Sequence, residues 1–229
     1  MKSMKLAHLL VIYILSCHWS LGQVQQQYIQ DPSQYGKALE ANTEIDIQGS
    51  PYFLEGWSPG LASLSSEASK FKFSKMRYNA LTGQVEFDNK GKVMYLDPKI
   101  FSQFILIRGL DSLIFKNQVE GVKTLSATAY VWIPFQGINL WLIKPVKSLI
   151  NDPEAPYGST KRKIIETDQI FYVVKSDREV ITFKMTSHSI SRNLSIQKKM
   201  LSDFLMEMEL SLENAAHYKK IFQWLDNQI

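Results

Sequence analysis

Residues 76–100 read MRYNALTGQVEFDNKGKVMYLDPKI, and this stretch decides the fold. Polar and apolar residues alternate through Met76-Arg77-Tyr78, Gln84-Val85-Glu86-Phe87 and Val93–Leu96. A period of two puts successive side chains on opposite faces of a strand. Leu81-Thr82-Gly83 separates the first two runs, and Asp88-Asn89-Lys90-Gly91 separates the next two. Both are rich in residues that favour tight turns. Short alternating runs joined by such turns predict an antiparallel meander. Arg77 and Tyr78 fall on opposite faces, and Asn79 is placed to start the first turn. Asp88-Asn89 before Gly91 is turn chemistry, because the later oxygen ligands of a calcium loop are missing.

The same period extends in both directions. Upstream, Glu44–Ile47 and Lys70–Phe73 alternate, while Ser58–Ser69 is serine-rich, opens Ser-Pro-Gly and is expected to be loop. Downstream, strands are expected at Phe104–Ile107, Ser112–Phe115, Ala127–Phe135, Asn139–Val146, Gln169–Val174 and Glu179–Lys184. Pro134 and Pro145 suggest strand ends or edges. Residues 151–160 (NDPEAPYGST) are the clearest loop. After Met185 the period becomes helical. Ile196, Met200, Phe204 and Met208 recur every four residues behind Ser195, a natural N-cap. A second helix is expected over about Asn214–Asn227, with Ala215, Tyr218, Ile221, Phe222 and Leu225 on one stripe. The expected fold class is α+β: a curved antiparallel sheet meander of about eight to ten strands, then a C-terminal helical hairpin packed on it. The expected organisation is 1–22 signal peptide, 23–42 flexible leader, 43–185 sheet domain and 186–229 helical hairpin.

The N-terminus reads as a secretory signal. Lys2 and Lys5 precede the apolar run Leu6–Ser16, which is shorter than the roughly 20 residues that span a bilayer. Small residues at Ser20 and Gly22 place cleavage between Gly22 and Gln23. Ile14-Leu15-Ser16-Cys17 is a degenerate lipobox, so acylation at Cys17 is the alternative and would attach the protein to a membrane. The expected location is therefore exported, periplasmic or secreted, or else a membrane-anchored lipoprotein. Cleavage before Gln23 removes 22 of the 229 residues, the single Cys and two of the four His. Losing Lys2 and Lys5 takes the net charge from +4 to +2. A thiol-free, nearly neutral chain excludes cysteine nucleophiles, Cys-ligated zinc and a nucleic-acid footprint.

The remaining chemistry is thin. G-x-S-x-G, H-E-x-x-H, Walker A and G-x-G-x-x-G patterns do not occur. His188 and His217 read as surface or core-edge residues. Glu44 and Asp46 share one face of a strand and read as a solvated face. Lys161-Arg162-Lys163 reads as solvated charge after a loop. No cofactor and no metal is expected, and catalysis is less expected than binding. Tyr130, Trp132, Phe135 and Trp141 form the densest aromatic cluster. Apolar residues on both faces from Ala129 to Ile133 mean a strand buried on both sides or an exposed patch for a ligand. The expected function is binding of an envelope partner or an apolar ligand at these four residues. A hydrolase built on carboxylates assembled by the fold, and a structural or adhesive role, are the alternatives. Asn193-Leu194-Ser195 is an N-glycosylation sequon. Asp111-Ser112-Leu113 resembles the O-glycosylation acceptor pattern of Bacteroidetes.

Gly49-Ser50-Pro51-Tyr52, Arg77-Tyr78-Asn79 and Glu86-Phe87, with a late hairpin and a terminal helix, resemble a group of uncharacterised secreted proteins of Bacteroidetes. The likeness covers most of Gly49–Asn227 and is weakest over Asn117–Lys163. It implies export and carries over no activity. The late turn, usually glycine-containing in that group, is Ser176-Asp177-Arg178 here.

Overall fold

The computed structural model describes residues 28–29, 36–38, 46–65, 70–154 and 162–229. Cys17, Gly22, Gln23, Glu44 and Lys161 lie outside them. The described residues form one sheet of thirteen strands followed by three helices. The fold class is α+β, as expected. The strands are β1 (Tyr28–Ile29), β2 (Gly36–Ala38), β3 (Asp46–Gln48), β4 (Ser58–Leu64), β5 (Lys70–Asn79), β6 (Gln84–Asn89) and β7 (Lys92–Leu96). They continue with β8 (Phe101–Arg108), β9 (Asp111–Lys116), β10 (Val131–Gln136), β11 (Leu140–Asn151), β12 (Arg162–Val174) and β13 (Val180–Phe183). The helices are α1 (Ser187–Leu194), α2 (Lys198–Glu207) and α3 (Tyr218–Asp226).

Two meanders make the sheet, β4–β7 and β8–β13, and they join where β8 pairs with β4 rather than with β7. That junction fixes the curvature. In a flat sheet β7 and β8 would stand four spacings apart, about 19 Å. Residues 97–100 connect them, and their turn is tightened by Ile100 and Phe101 N–H groups that both donate to the Asp97 carbonyl. Even fully extended, that connection spans at most about 18 Å. Leu96 and Phe101 also lie at opposite ends of their strands in the register. The sheet therefore coils, and side chains of β5 meet those of β8 and β9 across its interior. Phe71 packs edge-on against Phe101 with ring centroids 5.4 Å apart, and Tyr78 lies 5.3 Å from Phe115.

Three strands were not expected. β4 replaces the predicted serine-rich loop and sits at the centre of the sheet between β5 and β8. Its inward positions are small where the coil is tightest. A Cβ on Gly60 would stand 2.6 Å from the Ile105 carbonyl oxygen and 2.9 Å from Met76 Sδ. Pro59 falls in the register shift between Ser58 and Gly60, where a missing N–H is tolerated. The other two, β1 and β2, occupy the expected leader and pair with β5 and β7. They are too short to show a period.

Neither Pro134 nor Pro145 ends its strand as expected, but each sits where pairing is interrupted or one-sided. Pro134 lies in the bulge of β10 between Trp132 and Phe135. Pro145 lies past the last β10 partner, where β11 has only β12 beside it. In the late turn Arg178 takes the left-handed conformation, φ +71°, that a glycine would fill more readily. The helices depart more from expectation. Ser195 is not an N-cap: it closes α1 in the left-handed region, φ 58°. Thr186 caps α1 by accepting the Ser189 N–H. Of the stripe that recurs every four residues, Ile196 is buried and Phe204 half-buried, but Met200 and Met208 are exposed, and Leu201 beside it is the fully buried residue of α2. Of the stripe expected for α3, Tyr218, Ile221, Phe222 and Leu225 are buried, but Ala215, also expected on it, is exposed in a 3-10 turn that precedes the helix.

Candidate functional site

The four aromatic residues singled out above fall into the core. Tyr130 is buried and donates its hydroxyl hydrogen bond to the Phe101 carbonyl at 2.6 Å. Burial first, then the charges of Tyr78 and Asp97, pushes its hydroxyl far above the ordinary tyrosine value. Trp141 is fully buried and stacks on Phe222 of α3, centroids 5.0 Å apart. Phe135 is half-buried against the same cluster. On the opposite face of β10, Val131 packs with Val122, Leu142 and Tyr172 in a second small core under residues 117–130. The doubly apolar strand is thus buried on both sides, because the terminal helix covers one face and that loop the other. Trp141 is closed off, Trp132 reaches the wall of an open cleft, and buried Tyr130 lies at the base of another, between the β5–β6 turn and β11.

The cleft at Trp132, about 510 Å³, lies on the seam between sheet and terminal helix. Its wall is Phe53, Leu54, Leu113, Trp132, Ile133 and Pro134. Its rim carries Arg108, Asp111, Ser112 and Lys219. Arg108 and Asp111 face each other at the end of the β8–β9 hairpin, whose turn uses Gly109 at φ +61°. Lys219 stands in the first turn of α3. Phe53 forms one side of the cleft, edge-on to Phe115 at 5.1 Å and to Trp132 at 5.7 Å. A second cleft of about 530 Å³ shares Phe53, Leu54 and Arg108, and adds Glu55, Trp57 and Lys147. Lys147 donates to the Ser50 carbonyl at 2.6 Å. Burial lowers its pKa, opposed by the charge of Glu55.

The Gly-Ser-Pro-Tyr, Arg-Tyr-Asn and Glu-Phe segments meet in space and hold that wall. Arg77 and Glu86 are opposite partners on β5 and β6. Arg77 Nε and Nη2 both approach Glu86 Oε2 at 2.7 Å. Glu86, 1 % exposed, also accepts from Tyr52 Oη at 3.4 Å and from Asn79 Nδ2 at 3.3 Å. The Arg77 guanidinium lies between two rings, 3.9 Å from the centre of Tyr52 and 4.1 Å from that of Trp57. Backbone bonds complete the clamp: Phe53 N–H donates to Tyr78 and Ala80 N–H to Pro51. Asn79 Oδ1 accepts from Leu81 and Thr82 N–H groups, which makes the expected turn. The clamp fixes Tyr52, and so places Phe53 and Leu54 on the cleft. None of these pairings is expected from the sequence pattern alone. Once the meander register is drawn, Arg77 opposite Glu86 was the signal available.

A second buried carboxylate also escaped the sequence reading. Asp226, at the end of α3, accepts from Ile138 N–H (2.8 Å), Asn139 N–H (3.0 Å), Asn139 Nδ2 (2.9 Å) and Trp141 Nε1 (2.9 Å). Burial pushes its pKa up, and these bonds outweigh burial and hold it below the ordinary aspartate value. The net effect ties the terminal helix to the β10–β11 turn. Gly137 leaves room for it, since a Cβ there would collide with Asp226 Oδ2. An acidic residue in the last helical turn opposes the helix dipole, and that mismatch was its trace in the sequence.

Other singled-out groups are absorbed by structure. His217 Nδ1 accepts the Ser211 N–H at 2.9 Å, and His188 is exposed on α1. Arg162 pairs with Asp152 at 3.0 Å and Gln48 at 2.8 Å. Gly91 N–H donates to Asp88 Oδ1 at 2.7 Å, as turn chemistry requires. The Asn193 amide is bonded to Ser189 on its own helix. Ser112 is exposed on the cleft rim. Among the described residues no three of His, Asp and Glu gather to hold a metal ion, and no helix is long and apolar enough to cross a membrane. The chain matches no family model, no curated protein and no solved structure.

Proposed function

We propose that this is an exported cell-envelope protein, akin to the secreted Bacteroidetes group it resembles, that binds an apolar ligand without chemical turnover. The observation that carries the reading is the open cleft on the sheet–helix seam, whose wall is apolar and whose volume lies within the roughly 300–1,000 Å³ of small-ligand sites. The buried carboxylates support binding over hydrolysis. Glu86 and Asp226 are each saturated by donors, and they sit on different elements, so neither is a free acid or base. The basic-then-apolar N-terminus supports export.

Native mass spectrometry of the protein taken from its own envelope tests both parts. The expected species begins at Gln23 and carries a bound lipid-sized mass. The Leu113→Arg variant, which fills the cleft, should lose that mass. A bare wild-type protein would refute the binding reading, and a species starting at acylated Cys17 would move the protein onto a membrane.

A further inference from the structure

We propose that the ligand of this cleft is a single-chain amphiphile with an anionic head, held at the rim by Arg108 and Lys219; this rests on the binding reading above. The two cations come from different elements, the end of β8 and the first turn of α3, and line the same cleft. Asp111 is the one carboxylate in the lining, so the rim carries an excess of one positive charge. Asp111 is also the register partner of Arg108. Yet among the described residues neither Arg108 nor Lys219 is in an ion pair, whereas Lys75, Arg77, Arg162 and Lys175 all are.

Inward of this rim the wall becomes Leu113, Trp132, Ile133 and Pro134. A charged mouth over an apolar wall matches a molecule of the same polarity gradient: a carboxylate or phosphate head outside, a hydrocarbon chain inside. A cationic head would meet two like charges. A neutral head would gain nothing from them. The 3-10 turn that leads into α3 adds no separate site, because its Ala216 N–H is already bonded to Asn214 Oδ1 at 3.0 Å.

The two rim cations are exposed, so replacing them leaves the core untouched. Binding of laurate, dodecyl phosphate, dodecanol and dodecyltrimethylammonium to the full exported chain is measured by calorimetry, each below its micelle concentration. Laurate or dodecyl phosphate should bind at least tenfold more tightly than dodecanol, and whichever is tighter identifies the head. That advantage should fall below about threefold in R108Q/K219Q and in 1 M salt, where the Debye length is about 3 Å. Dodecanol binding should be unchanged in the variant, which also shows that it is folded. Dodecanol binding as tightly as both anions, or the cationic chain binding best, overturns the head-group assignment and leaves the apolar cleft standing. If no chain binds, the cleft reading itself fails.

Discussion

Asp226 is a carboxylate that burial would keep neutral and that four donors keep charged. Removing its charge leaves those donors, three of them buried, facing an amide. Asp226→Asn is expected to cost about 2–4 kcal/mol at pH 7, because hydrogen bonds to a buried charge are worth more than neutral ones. The pH dependence has a definite sign. A carboxylate whose folded pKa is depressed adds stability above its unfolded pKa, about 3.9, and loses that contribution as pH falls through the folded value. The gap between wild type and variant in denaturant titrations should therefore narrow from about pH 4 downward. A gap that stays constant with pH would show that Asp226 acts by shape alone. Glu86 carries the same lesson at the other end of the site. Its partners Tyr52, Arg77 and Asn79 are up to 34 positions away in sequence, and only their convergence on one carboxylate gives the Gly-Ser-Pro-Tyr, Arg-Tyr-Asn and Glu-Phe segments a single physical purpose.

At the level of elements, ten of the thirteen strands were legible, some because they alternate and others, such as β10 and the end of β12, because they are short apolar runs bounded by turn residues. β4 was not, because its outward residues, Pro59, Leu61 and Ser63, are mixed and its inward ones are Gly60, Ala62 and Leu64. Small side chains there reflect close approach between β4, β5 and β8, a tertiary demand with no local signature. The prediction follows from that crowding. Gly60→Ala should cost about 1–3 kcal/mol, since the nearest atom is backbone and cannot swing away. Ser63→Ala on the same strand should stay within about 0.5 kcal/mol. Equal effects in urea titrations would mean that the strand is not packed as described. The Ser195 boundary failed for a related reason: a serine at a helix boundary serves either end, and Thr186 started a helix that the four-residue period did not reveal. The lining of the candidate cleft was half legible. Trp132 was found from aromatic density, but Arg108 and Lys219 carry no pattern until the hairpin and α3 are brought to one rim.

For the molecule as a whole, the sheet and the helical segment share one core. Phe71, Phe104 and Trp141 of the sheet and Ile190, Leu201, Ile221 and Phe222 of the helices belong to a single buried cluster. The boundary near Met185 is therefore a change of secondary structure and not of folding unit. Phe222 is the residue that tests this, because it stacks on Trp141 and also lies against Phe171 and Tyr218. Phe222→Ala should cost about 3–5 kcal/mol through lost burial and the cavity left behind. If the core is one cooperative body, far-ultraviolet circular dichroism and tryptophan fluorescence should report coincident unfolding transitions in both proteins, displaced together by the substitution. Helical signal lost before the fluorescence of the sheet would make the terminal segment a separate unit. The cleft would then open by undocking of α3, and Lys219 would leave the rim while Arg108 stayed.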